Sequence, residues 1–163
     1  TPGRTLFPYT TLFRSGLVER IRRESSLSRS FLGFAPSLLI SVDGQSVNEQ
    51  KECEDHRVEL LNSRVDDSRG DDAVAIVREG LSNIARHAHA TAGAVNVELQ
   101  GSGKTGRLTV SVSDDGVGID PAHTRNSGLA NMAERARLNG GTFTVGTGLE
   151  GKGTKIIWSV PLA

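Results

Sequence analysis

Glu79, Asn83, Arg86 and His87 recur at intervals of three and four residues. At about 100° per residue they share one side of a helix, while Val74, Val77, Leu81, Ile84 and Ala88 line the other. A carboxylate can take a proton, an amide oxygen suits a hard cation and a guanidinium suits a phosphate. A helix that buries one side and aligns such groups on the other presents a site. An amphipathic helix with a solvated polar side is the plainer alternative, so the neighbouring clusters must decide. Three follow: Asp115-Gly116-Val117-Gly118, then Gly128-Leu129 opening a helical stretch, then Gly151-Lys152-Gly153-Thr154. Each alone is ordinary turn chemistry.

Alternation and breakers outline the elements that must position these groups. Leu38 to Val42 reads as a strand closed by Asp43-Gly44. Val95, Val97 and Leu99, then Leu108, Val110 and Val112, form a hairpin with one buried face across the Gly-rich link from Gly101 to Gly106. Ile119 to Ser127 is a polar, mobile loop. Gly128 to Asn139 is a second helix with Leu129, Met132, Ala133 and Ala136 inward, stopped by Gly140-Gly141. Thr142 to Gly146 and Lys155 to Val160 complete a mixed, mostly antiparallel sheet. Helices on one face of it make a two-layer α/β sandwich.

Two competing motifs fail on spacing. Gly103-Lys104-Thr105 ends like a phosphate loop, but Glu98 stands where that loop needs a glycine, and a strand follows where it needs a helix. His87 and His89 diverge by about 200° on a helix and cannot share a metal.

Taken in order, the four clusters resemble the nucleotide site of the GHKL ATPases, the group of gyrase, Hsp90, MutL and the histidine kinases, whose fold is the Bergerat sandwich. The resemblance implies ATP and Mg²⁺. It makes Asp115 the acceptor for the adenine amino group, with Gly116 and Gly118 letting the backbone approach the base. Asn83 becomes the Mg²⁺ ligand and Glu79 the general base or the group orienting the nucleophile. Arg86 fits a phosphate contact where relatives often carry Lys. His87 follows the same pattern, or is a surface histidine. Gly128 and Leu129 would cap a lid over the triphosphate, and Gly151, Gly153 and Thr154 would wall the pocket, unless they are a plain turn between strands.

The short lid and the stretch Ser127 to Arg135 resemble the histidine kinases that partner NarL-type regulators, and Val77 to Thr91 is similar to actinobacterial haem-based oxygen and redox sensors. The implied function is transfer of the ATP γ-phosphoryl group to a histidine on an N-terminal dimerisation domain, with a cognate response regulator downstream. An anti-sigma-factor-type serine kinase, or a nucleotide-binding module without catalysis in this fragment, are the alternatives. None of His56, His87, His89 and His123 precedes Asp or Glu, as an acceptor histidine usually does.

Nineteen basic and nineteen acidic residues in 163 cancel, which gives no field for nucleic acid or an anionic membrane. Cys53 is alone, so no internal disulfide is possible, and no apolar run reaches the roughly eighteen residues that span a bilayer. A cytoplasmic domain is expected, dimeric only within a longer protein. Thr5 to Ser15 resembles a translated sequencing adapter, so residues 1–15 are set aside as an artefact and a natural N-terminus is taken to be missing. Residues 16–30 read as a charged helical remnant of an upstream dimerisation helix, with Leu17 to Ile21 its only apolar contact face, and 31–163 as the ATP-binding domain. Within it, 45–70 is too poor in apolar residues for a packed element of that length; a helix from roughly Leu60, an insertion or a local frameshift are the readings left open.

Overall fold

The computed structural model describes residues 16–47, 56–119 and 127–163. The adapter-like segment, most of the loop after Ile119 and part of the atypical stretch lie outside the described residues.

Six strands form one sheet in the order β2-β1-β3-β4-β6-β5. They are β1 (Ser37–Val42), β2 (Gln45–Ser46), β3 (Gly93–Gln100), β4 (Arg107–Asp114), β5 (Thr142–Thr147) and β6 (Thr154–Pro161). Only β1 and β3 run parallel; the other neighbours are antiparallel. The expected sandwich is therefore present. Gly103–Thr105 forms one tight 3₁₀ turn between antiparallel β3 and β4, as a hairpin requires.

Alternation sets the two faces. Val95, Val97 and Leu99 of β3, Leu108, Val110 and Val112 of β4, and Ile156, Trp158 and Val160 of β6 are all buried in one core. Asn96 and Gln100 on the other face of β3 are exposed. The helices α1 (Leu17–Leu32), α2 (His56–Arg64), α3 (Asp67–Asn83) and α4 (Ser127–Leu138) cover the apolar face.

The helix α3 is the central one. Asp66 caps it by accepting the Arg69 amide at 2.9 Å. Its stripe Ala73, Val74, Ile76, Val77, Gly80 and Leu81 is buried. At Gly80 a Cβ would sit 2.9 Å from Val112, so the missing side chain lets the helix lie directly on β4. Glycine costs a helix roughly 1 kcal/mol relative to alanine, and the close seat on the sheet is what it permits here.

Residues 16–30, expected to be a helical remnant with Leu17 to Ile21 as its contact face, fall in α1, whose Leu17, Val18 and Ile21 enter the same core. Arg20 also reaches Asp71 of α3 at 2.7 Å, and Glu24 pairs with Arg78. Part of the apolar-poor stretch folds as α2, with Leu61 and Val65 buried. Few apolar residues suffice there because α2 borrows the flank of a core that already exists.

Candidate functional site

The helical periodicity of the motif residues breaks after Asn83. Ile84–Ala88 form a single π turn, and His89 follows in the left-handed region at φ 49°. Glu79 and Asn83, one turn apart on α3, are half-buried, whereas Arg86 and His87 ride the wider turn and are exposed. A uniform helix would have kept all four closer together. One-turn π insertions are frequent at functional sites, and this one delivers the Ala88 carbonyl to the strand end opposite.

That strand end is the Asp-Asp-Gly turn. Val117 donates its amide to the Ala88 carbonyl at 2.8 Å. A Cβ on Gly116 would lie 2.1 Å from the same oxygen, so only glycine fits. The exit of α3 and the turn after β4 are thus in direct backbone contact.

The two adjacent aspartates face different ways. Asp115, expected to meet a nucleotide base, instead turns to the loop after α3. One carboxylate oxygen accepts the amides of Thr91 at 2.8 Å and Ala92 at 2.9 Å, and the other accepts the Thr91 hydroxyl at 2.6 Å. The Thr91 hydroxyl and these amides hold its carboxyl down at about 2. Asp114 is 3 % exposed. Its carboxylate accepts the Gly116 amide at 2.8 Å and a backbone N–H from Thr154. Burial nevertheless pushes its pKa above the ordinary value, with the Asp115 charge adding to the effect.

Asp114 was missed by the sequence reading, although alternation points to it. Leu108, Val110 and Val112 face the core, and Asp114 continues their phase while Asp115 does not.

Gly153 closes the other side. It lies at φ 66°, and a Cβ there would come 2.4 Å from Asp114 Oδ1 and 2.2 Å from the Asp114 carbonyl oxygen. Thr154 starts β6 beside it, and Gly118 passes within reach of the Gly153 carbonyl. Gly151 is also at positive φ but borders open space. The cluster therefore joins Asp114, Asp115, Gly116, Gly118, Gly153 and Thr154 with the end of α3. Gly128 and Leu129 lie apart from it in sequence, in the first turn of α4, with Gly128 buried. At the other end of α4, Asn139 donates to Asp72 of α3 at 2.8 Å, and Arg135 pairs with the same carboxylate.

Residues 69–163 match the model of the histidine kinase-, DNA gyrase B- and HSP90-like ATPases. The chain belongs to this ATPase family. Within the family it is 39% identical over 87 residues to the signal transduction histidine-protein kinase/phosphatase UhpB of Salmonella typhimurium, covering 53% of this chain and 16% of UhpB. It is 38% identical over 89 residues to the sensor histidine kinase LiaS of Bacillus subtilis, covering 53% of this chain and 23% of LiaS. The chain therefore spans less than a quarter of either relative.

Solved structures agree on the ATPase fold. The histidine kinase domain of the blue-light activated kinase of Erythrobacter litoralis EL346 superposes with a TM-score of 0.58 at 22% identity, over 90% of this chain and 61% of that one. The ATP binding domain of PrrB from Mycobacterium tuberculosis gives 0.52 at 17% identity, over 90% of this chain and 94% of that one.

Proposed function

We propose that the chain is the ATP-binding catalytic domain of a sensor histidine kinase, passing the γ-phosphoryl group of ATP to a histidine on a separate helical dimerisation domain. The observation that carries this reading is the buried Asp114 carboxylate, held among glycine backbones beside the helix of Glu79 and Asn83. A carboxylate so placed accepts the adenine amino group and leaves guanine, which offers a carbonyl oxygen there, without a donor. Asp114 therefore takes the base-binding role first given to Asp115, whose carboxylate is already engaged by Thr91 and Ala92.

Asn83 supplies the amide oxygen for Mg²⁺, which takes few protein ligands and fills its shell from phosphates and water. Among the described residues no three His, Cys, Asp or Glu side chains converge, and Mg²⁺ suits that sparse donor set. When bound, the ion would neutralise charge on the transferring phosphate. Glu79 orients or deprotonates the nucleophile, and Arg86 and His87 stand exposed for phosphate contacts. Gly128 and Leu129 seat the lid, while Gly151, Gly153 and Thr154 line the pocket.

The likeness to the histidine-protein kinase/phosphatase UhpB and the sensor histidine kinase LiaS supports the kinase branch. The stretch Ser127 to Arg135 supports the subclass that partners NarL-type response regulators, with haem-based sensors as the nearest likeness. Among the described residues no helix is long and apolar enough to cross a membrane. Partnership with a response regulator supports a cytoplasmic place for this domain.

The test is phosphoryl transfer from γ-labelled ATP to an added helical hairpin carrying a His-Asp pair, taken from a related kinase. Acid-labile label on that histidine is expected, lost in Glu79→Gln while ATP binding persists. Label on a protein serine instead would move the domain to the serine-kinase branch.

A further inference from the structure

We infer that Asp115 is a positioning residue: through Thr91 and Ala92 it clamps the exit of α3 to the turn after β4, keeping Glu79 and Asn83 in register with Asp114, Gly116 and Gly118. This rests on the function proposed above, and it assigns a job to a carboxylate and a hydroxyl which that function leaves without one.

The chain leaving α3 has little else to fix it. After the π turn it bends through His89 in a left-handed conformation, which persists only where the surroundings hold it. Ala88 is buried and Ala90 packs partly against the core, but Thr91 and Ala92 are exposed and gain no such hold. Polar contacts do the holding. Asp115 takes three donors from Thr91 and Ala92 between 2.6 and 2.9 Å, and its own amide donates to the Ala92 carbonyl at 3.2 Å. Val117 adds the bond to Ala88 from the far side of Gly116. The five-residue exit, 88–92, is thus stitched at both ends to the turn that presents Asp114, through Asp115 and Val117. A charged acceptor makes such bonds stronger than a neutral one would. Because both Asp115 oxygens are engaged by Thr91 and Ala92, the clamp governs where the site's two halves sit while Asp114 stays the base acceptor.

The measurement is the Kd of the purified chain for ATP and for GTP, with Thr91→Val, Thr91→Ser, Asp115→Ala and the Thr91→Val/Asp115→Ala double variant. Thr91→Val keeps the shape of an exposed side chain and deletes only its hydroxyl. It and Asp115→Ala are expected to weaken both nucleotides on the order of tenfold, leaving the ATP-to-GTP ratio as in the wild type. The double variant should be no weaker than Asp115→Ala, and Thr91→Ser should restore binding. A ratio that collapses in Asp115→Ala would make Asp115 a base ligand and overturn the inference. Unchanged binding in both single variants would overturn it too. If the wild type binds neither nucleotide, the proposed function fails first. The clamp is then judged from denaturant midpoints, where strictly additive losses at Thr91 and Asp115 would refute it.

Discussion

The carbonyl oxygen of Ala88 occupies the space that a Cβ on Gly116 would need, 2.1 Å from where that atom would stand. A glycine in a turn is usually explained by backbone torsion. Here the reason is contact between two chain segments 28 residues apart in numbering (88 and 116). Gly116→Ala must push the α3 exit off the turn. We expect a loss of about 1–3 kcal/mol, in the range of overpacked sites, read as a lowered denaturant midpoint with unchanged m-value. A midpoint equal to wild type would show that the two segments part freely.

Asp114→Asn should lower the preference for ATP over GTP by on the order of tenfold or more, since the amide can donate to the guanine carbonyl oxygen as well as accept from adenine. Competition titrations of the two nucleotides check it. A preference that survives would return the base-reading role to another residue.

Acid should act on the two aspartates in opposite senses. The Asp115 pKa is depressed from 3.8 to about 2 in the fold. Its contribution to stability is thus present in full above 3.8 and fades as pH falls toward 2, where the unfolded chain binds more protons than the native one. Thr91→Val should flatten this part of the stability-pH curve. Asp114 has its pKa raised by burial, so its ionised form costs the native state stability that returns as pH falls through that pKa. ATP binding, which needs the ionised acceptor, should weaken at a higher pH than an ordinary carboxylate would dictate. An ATP affinity that is flat down to pH 3.8 would contradict the assignment.

Asp66→Ala removes the N-cap of α3 and should cost about 1 kcal/mol. Nucleotide selectivity should not change, because the cap lies nearly five turns from Asn83 along a helix of 17 residues. Thermal unfolding and the same titrations separate the two effects.

The strands, the hairpin and both site helices were legible because each writes its period plainly, two for β3 and β4 and 3.6 for α3. What escaped was set by contacts between segments. Nothing in Ile84–Ala88 announces a π turn, which arises where the Ala88 carbonyl must meet Val117. The helix α1 and its contact face at Leu17, Val18 and Ile21 are legible, but not the elements it packs on, because those partners lie elsewhere in the chain. Strand phase separates Asp114, which continues the buried face of β4, from Asp115, whereas motif likeness alone points to Asp115. The partner of Asp115, Thr91, carries no signal of its own; an exposed threonine after a helix gains its meaning only from the carboxylate across from it.

Mg²⁺ on Asn83 should complete the ATP site, and a single titration decides whether it does. ATP is titrated into the chain with and without Mg²⁺, for the wild type and for Asn83→Ala. Tighter ATP binding with Mg²⁺ is expected in the wild type and no such gain in Asn83→Ala, with a hundredfold excess over Kd stabilising the wild-type fold by about 2.7 kcal/mol. A Mg²⁺ gain that survives in Asn83→Ala, or no ATP binding under either condition, would contradict it.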